Sequence, residues 1–139
     1  MSNYKTILFI EDEPNLIDIY HLVFENHGYR FLSTADIDEA MIVCQAEKLT
    51  LILLDIILPK RTGGIVDIAA KQGFVFLEQV KKNPKTKGIP VVILTNLNTD
   101  ADRKKARELG AIDYIVKADH LPEEIFKRVE IIIKGQKNN

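Results

Sequence analysis

Chemically active side chains stand where four apolar runs of the sequence end. Glu11 and Asp12 follow the first run, Asp55 follows the third, Thr95 ends the fourth and Lys117 ends the fifth. Two carboxylates about 4 Å apart repel each other by roughly 4 kcal/mol at an effective dielectric constant near 20, so a cluster of them needs a cation. Carboxylate oxygens that leave room for water and phosphate suit Mg²⁺ better than zinc.

Hydrophobic periodicity predicts the elements that position these residues. Continuous apolar runs, which are typical of strands buried on both faces, predict strands at Thr6–Ile10 and Leu49–Leu54. Three further strands are predicted at Tyr29–Thr34, Pro90–Thr95 and Ile112–Lys117. Apolar residues three and four positions apart predict helices between Leu16 and Gly28, at Asp36–Lys48 and at about Phe74–Asn83. Two more helices are predicted at Asp100–Leu109, closed by Gly110, and from Pro122 to about Lys134, since proline suits a first helical position. This alternation predicts an α/β fold, a doubly wound five-stranded parallel sheet with helices on both faces. The working site of such a sheet lies outside the carboxyl ends of its strands.

Length and composition indicate one ordinary globular domain spanning 1–139. The 139 residues are 46% hydrophobic and 28% charged, as expected of a single core. A net charge of -1 gives no electrostatic reason to expect direct binding of nucleic acid or a membrane surface. The single cysteine, Cys44, excludes an internal disulfide and a cysteine-built zinc site. We therefore expect a cytoplasmic protein.

Four segments resemble the motifs of bacterial response-regulator receiver domains, and together they cover nearly the whole chain. They are Ile7–Pro14, Leu53–Gly63, Val92–Thr95 and Gly110–Lys117. The resemblance implies a flavodoxin-like fold with strand order 2-1-3-4-5 and a role in two-component phosphorelay signalling.

The resemblance also implies a phosphoacceptor and a Mg²⁺ site. Asp55 is expected to accept a phosphoryl group from a sensor histidine kinase or a histidine phosphotransfer protein. Asp12 and Asp55 would bind Mg²⁺, Glu11 would support the ion through water, and the backbone carbonyl of Ile57 would be a further ligand. A carboxylate is a poor nucleophile unless positive charge neutralises the incoming phosphoryl oxygens, which agrees with these roles.

Three further residues acquire roles by the same resemblance. Lys117 would pair with the Asp55 carboxylate or with the phosphoryl oxygens, and Thr95 would bond one of those oxygens. Tyr114 matches the aromatic residue whose rotamer follows the state of the site. Output is then expected by protein contact, through the surface of helix four, strand five and helix five around Arg103, Arg107, Tyr114 and His120.

The sequence departs from the receiver pattern in three single positions. Glu11 stands where aspartate is usual, and Asn96 follows Thr95 where a small residue is usual and would narrow the route to Asp55. Ala118 follows Lys117 where proline is usual. A cis Lys117–Ala118 bond would be more costly without proline, and a trans bond with a shifted lysine is the alternative.

The largest departure is an insertion of about ten residues, Gly64–Gly73. Its apolar residues are consistent with a short helix, a flap beside the site or a partner surface, and a tolerated surface loop is equally compatible. About 22 residues follow Lys117, enough for a last helix and a short tail, so we expect no output domain.

Three other functions are alternatives to the receiver. A phosphatase with an aspartyl nucleophile needs a second aspartate where Ile57 stands, and a flavin binder would have its phosphate repelled by Glu11–Glu13. A degenerate receiver that only binds proteins stays open because of Asn96 and Ala118. We expect no enzymatic turnover beyond self-phosphorylation and slow self-dephosphorylation, since Ile57 and Leu97 are apolar and unable to activate water.

Overall fold

The computed structural model describes residues 4–63 and 70–137, in which strands and helices alternate along the chain. The strands are β1 (Thr6–Ile10), β2 (Arg30–Thr34), β3 (Leu51–Leu54), β4 (Val91–Thr95) and β5 (Asp113–Val116). The helices are α1 (Pro14–Asn26), α2 (Ile37–Ala46), α3 (Gln72–Lys82), α4 (Asp100–Glu108) and α5 (Pro122–Lys137), with a short 3₁₀ turn at Lys117–Asp119. Within the described ranges, no helix is both long enough and apolar enough to cross a membrane.

The five strands form one parallel sheet in the order β2-β1-β3-β4-β5. This confirms the predicted doubly wound architecture. β1, β3 and β4 occupy the central positions and are buried along their whole length, which is why their sequences are unbroken apolar runs. β2 and β3 lie on opposite sides of β1, so a crevice opens where the winding reverses, at the carboxyl ends of β1 and β3.

Two apolar layers cover the two faces of the sheet. In β1, Leu8 and Ile10 belong to the layer beneath α2, α3 and α4, whereas Ile7 and Phe9 belong to the layer beneath α1 and α5. The division follows from the strand geometry, since successive side chains point to opposite faces. Because both layers pack against β1, its carboxyl end is fixed, and so is the backbone from which Glu11 and Asp12 project.

The segment after β3 is fixed to the start of α2 by a buried carboxylate. Asp36 accepts hydrogen bonds from the Glu39 amide at 2.7 Å, from the Thr62 amide at 2.6 Å and from the Thr62 hydroxyl at 2.5 Å. Two amides at the start of α2 also donate to the carbonyls of Pro59 and Lys60. Burial favours the neutral acid, yet these donors lower the pKa of Asp36, so the anchor stays charged.

The insertion is partly helical where the structure describes it. α3 begins at Gln72, before the predicted start at Phe74, because the last two residues of Gly64–Gly73 belong to this helix. Positions 64–69 lie outside the described residues.

Gly73 lies directly against the backbone at the end of β3. Its amide donates to the Ile56 carbonyl at 2.9 Å. A β-carbon added at Gly73 would lie 2.5 Å from both the Asp55 carbonyl oxygen and the Ile56 α-carbon. A residue larger than glycine would therefore push apart α3 and the chain that carries Asp55.

Gly73→Ala is expected to lower the free energy of unfolding by about 1–3 kcal/mol, because backbone must move to admit the added methyl group. Urea denaturation followed by circular dichroism measures the loss. Gly88→Ala is the matched control, since a β-carbon there meets no atom within 4 Å. Equal stability of the two variants would show that the close approach is not a constraint.

Candidate functional site

The carboxyl ends of β1, β3, β4 and β5 border one cleft of about 400 Å³. Its lining includes the side chains of Glu11, Asp12, Asp55, Thr95 and Lys117, together with those of Ile57, Asn96 and Leu97. The sheet thus brings together the carboxylates, the hydroxyl and the ammonium that the sequence places after separate strands.

Lys117 joins two of the carboxylates. Its ammonium donates to Glu11 Oε1 at 2.5 Å and to Asp55 Oδ2 at 2.9 Å, and only 11% of the side chain is exposed. Burial by itself would favour the neutral amine, but the charge of Asp55 and the hydrogen bonds to both carboxylates raise the pKa of Lys117. The ammonium is therefore a permanent positive charge in the cleft.

Glu11 is almost fully buried, with 1% of the residue exposed. Its second oxygen, Oε2, accepts from the Asp12 amide at 3.0 Å and from the Glu13 amide at 3.4 Å. Burial and the nearby charge of Asp55 nevertheless outweigh Lys117 and raise the pKa of Glu11. Because a single ammonium is shared by two carboxylates, the cleft keeps an excess of negative charge.

Asp55 is held from both sides of its carboxylate. Oδ2 accepts from Lys117, and Oδ1 accepts from the Ile57 amide at 3.2 Å. Its own backbone amide donates to the Ile10 carbonyl at 3.1 Å. Only 5% of Asp55 is exposed, and the residue lines the cleft.

The predicted metal ligands line the cleft, but the structure does not arrange them as a metal cage. Among residues 4–63 and 70–137, no group of three or more acidic, histidine or cysteine side chains is placed to hold a metal ion. Glu11 is engaged by Lys117, and Asp12 is exposed at the cleft. The donor chemistry still fits a hard divalent cation, since oxygen ligands predominate and the buried carboxylates outnumber the ammonium.

Glu13, the third acidic residue after β1, has a structural task. Its carboxylate accepts from the amides of Asn15 at 3.2 Å and Leu16 at 2.9 Å and so caps the start of α1. Pro14 at the first helical position suits the same helix start. Glu13 therefore orients α1 rather than adding a free carboxylate to the cluster.

Thr95 and Tyr114 are linked through Leu97. The Leu97 amide donates to Thr95 Oγ1 at a long 3.4 Å, and the Tyr114 hydroxyl donates to the Leu97 carbonyl at 2.7 Å. The Arg103 guanidinium lies 4.8 Å from the centre of the Tyr114 ring. Burial and the charge of Asp102 raise the pKa of Tyr114 to about 12, so the hydroxyl remains a donor. Leu97 thus connects Thr95 to Tyr114, so a movement of Thr95 would shift the hydrogen-bond acceptor of the Tyr114 hydroxyl.

The Lys117–Ala118 bond, left open between cis and trans by the sequence, is trans, as is every peptide bond of the described residues. Lys117 reaches Asp55 from this trans arrangement. The Ala118 amide donates to Asn96 Oδ1 at 2.9 Å, so two of the departures from the receiver pattern contact each other.

An ion pair that the sequence did not predict connects α3 to α4. Lys71 precedes α3 in a left-handed backbone conformation (φ 45°), and its ammonium lies 2.7 Å from Asp102 Oδ1. Asp102 also exchanges hydrogen bonds with Thr99, the N-cap of α4. Lys71 falls within the predicted insertion, and nothing in the local sequence pattern points to a partner 31 positions away.

The parallel sheet with this strand order and this carboxylate–lysine cleft defines the receiver class of signalling domains. The chain matches the family model of the response regulator receiver domain over residues 7–130, and it belongs to that family. It therefore acts in two-component signalling.

Relatives and solved structures agree with this assignment. The phosphate regulon transcriptional regulatory protein PhoB of Escherichia coli (strain K12) is 32% identical over 130 residues, which are 94% of this chain and 52% of PhoB. A CheY-like receiver domain protein from Methanospirillum hungatei JF-1 superposes with a TM-score of 0.82 at 22% identity over 98% of both chains. The Mn²⁺-bound response regulator Rcp1 matches with a TM-score of 0.73 at 29% identity, over 92% of this chain and 91% of Rcp1. The chain spans about half the length of curated relatives such as PhoB.

Lys71→Met is expected to lower the free energy of unfolding at neutral pH by about 1–2 kcal/mol, because it leaves the buried Asp102 carboxylate without its cation. Burial opposes the charge of Asp102, but hydrogen bonds from Lys71 and Thr99 lower its pKa. A lowered pKa gives stability that is complete above the unfolded value of about 3.9 and is lost as pH falls through the folded value. The variant should therefore lose less stability on acidification than the wild type.

Urea denaturation at neutral pH and below about pH 4 measures both effects. Lys104→Met is the control, since Lys104 pairs at 3.9 Å with an exposed carboxylate. An equal loss in both variants would contradict a special role for the Lys71–Asp102 pair.

Proposed function

We propose that Asp55 accepts a phosphoryl group from a phosphohistidine of a sensor histidine kinase or of a histidine phosphotransfer protein. The ion pair of Asp55 with Lys117 at 2.9 Å, inside a cleft that is open to solvent, is the observation that carries the proposal. It joins the nucleophile and a fixed positive charge in one place. This favours a phosphoacceptor over a degenerate receiver that only binds proteins.

The transfer follows from the contacts of the carboxylate. One Asp55 oxygen attacks phosphorus, the phosphorus–nitrogen bond breaks, and its electron pair returns to the donor imidazole, leaving an aspartyl phosphate. The Lys117 ammonium, which already bonds Asp55, neutralises charge on the phosphoryl oxygens. The Thr95 hydroxyl donates to one of those oxygens, since in its contact with the Leu97 amide it acts as the acceptor and its own proton stays available.

Mg²⁺ is the cation that this cleft would take. Asp12, Asp55 and the Ile57 backbone carbonyl would hold it, with Glu11 in support through water. Bound there, Mg²⁺ supplies charge neutralisation at the phosphoryl oxygens. Two buried carboxylates share a single ammonium, and the excess of negative charge that results supports the assignment. The relative Rcp1 is described in a Mn²⁺-bound form.

The output surface proposed for a downstream protein is the face of α4, β5 and α5. Arg103, Arg107, Tyr114 and Arg128 border a cavity of about 270 Å³ on this face. Tyr114 connects it to the cleft, because its hydroxyl bonds the Leu97 carbonyl next to the Thr95 loop. Phosphorylation would therefore change the surface that a target protein meets.

Asp55→Asn is expected to abolish Mg²⁺-dependent phosphorylation by acetyl phosphate, since the amide cannot form the acyl phosphate. Intact-protein mass spectrometry detects the added phosphoryl group. Asp38→Asn, an exposed carboxylate on α2, is the control and should be labelled like the wild type. Labelling that persisted in Asp55→Asn would refute the acceptor assignment.

The lifetime of the aspartyl phosphate is expected to be long because Ile57 and Leu97 line the cleft beside Asp55. Neither side chain can orient or deprotonate the water that hydrolysis needs. The double substitution Ile57→Asn with Leu97→Glu should therefore accelerate loss of phosphate by about tenfold or more.

Loss of the mass-labelled species over time measures the lifetime. Asn98→Glu places the same acidic group one residue beyond Leu97 and outside the cleft lining, so it should leave the lifetime unchanged. An unchanged lifetime in the double variant would mean that these side chains are not the barrier.

A further inference from the structure

Two loops of the cleft are joined by one hydrogen bond between side chain and backbone. Asn96 follows Thr95 at the end of β4, and Ala118 follows Lys117 at the end of β5. The Ala118 amide donates to Asn96 Oδ1 at 2.9 Å. The bond requires both residues, because a small side chain at 96 offers no acceptor and a proline at 118 offers no donor.

The local backbone explains why Ala118 needs this acceptor. Lys117 begins the 3₁₀ turn Lys117–Asp119, and the first amides of any helix lack partners within it. Val116, the residue before the turn, has no polar side chain with which to cap it. Asn96 supplies the cap from the neighbouring loop, 22 positions away in sequence.

The bond also fixes the position of Lys117 relative to Thr95. A lysine side chain has four rotatable carbon–carbon bonds, so the placement of its ammonium depends on where its backbone begins. Here the ammonium must reach both Asp55 Oδ2 at 2.9 Å and Glu11 Oε1 at 2.5 Å. Anchoring Ala118 holds the Lys117 backbone at the distance from which one side chain meets both carboxylates.

We propose that Asn96 is a positioning residue for Lys117, acting through the Ala118 amide, and that it links the loop after β4 to the loop after β5. The proposal rests on the proposed function, since the task of Lys117 is phosphorylation of Asp55. Movement of Thr95 toward a phosphoryl group would pass to Lys117 through this bond.

Two variants separate this role from simple crowding of the cleft by Asn96. Asn96→Ala removes both the side-chain bulk and the bond, whereas Ala118→Pro removes the bond and leaves Asn96 in place. If Asn96 positions Lys117, both variants should be phosphorylated by acetyl phosphate about fivefold more slowly, the equivalent of one ordinary hydrogen bond. The double variant should be no slower than either single variant.

The results that overturn the proposal are distinct. Crowding predicts faster labelling of Asn96→Ala and unchanged labelling of Ala118→Pro. Independent effects predict a double variant whose loss is the product of the two single losses. Asn98→Ala is the matched control, because the Asn98 side chain accepts from Arg103 and not from the β5 loop.

A second measurement does not depend on phosphorylation. Hydrogen exchange of the Ala118 amide, followed by NMR without a phosphodonor, should accelerate about fivefold in Asn96→Ala and stay unchanged in Asn98→Ala. Equal exchange in the wild type and Asn96→Ala would overturn the proposal. Failure of wild-type labelling with a protected Ala118 amide would instead count against the acceptor role of Asp55. Should Ala118→Pro not fold, Asn96→Ala decides by its two readouts: slower labelling together with faster exchange supports the proposal, and labelling that is unchanged or faster overturns it.

Discussion

One ammonium shared by two buried carboxylates is the interaction on which the cleft depends. Lys117 comes from the end of β5, Glu11 from the end of β1 and Asp55 from the end of β3, so a single side chain ties together three strands. Removing one partner of a buried ion pair leaves an uncompensated charge, which typically costs about 3–5 kcal/mol. Because the negative charges still outnumber the positive one, the same arrangement favours binding of a cation. In the proposed function, that cation and Lys117 together would offset the negative oxygens of the phosphoryl group.

The parallel sheet places these three side chains at one edge, and the elements packed around the sheet fix the strand ends that carry them. Hydrophobic layers on both faces fix β1 and β3, while Glu13 caps α1 directly after the first acidic pair. The loops after β4 and β5 are short, and in addition to the packing of Leu97 against the core they are joined by the hydrogen bond between Asn96 and Ala118. The geometry of the site is therefore fixed partly by the core and partly by individual loop contacts.

This division explains what the sequence could and could not predict. A strand that is buried on both faces has an unbroken run of apolar residues. The central strands, and the residues at their ends such as Asp55, can therefore be predicted from the local sequence. Contacts between loops leave no such periodicity: Lys71 pairs with Asp102 and Asn96 with Ala118 across 31 and 22 positions. The sequence alone does not distinguish the capping role of Glu13 from the roles of its neighbours Glu11 and Asp12, because the same residue type serves a helix cap and a metal site.

The insertion Gly64–Gly73 lies in the segment after β3, and both ends of that segment are anchored, which keeps Asp55 in position. Asp36 holds Thr62 on one side of it, and Gly73 lies against the Asp55 and Ile56 backbone on the other. With both ends anchored, extra residues between them add a loop-closure entropy that grows slowly with length, and they do not displace Asp55. The second anchor also includes Lys71, whose ion pair with Asp102 leads to α4 rather than back to the cleft. A change at Lys71 would therefore act first on α4, whereas a change at Gly73 would act directly on the backbone of Asp55.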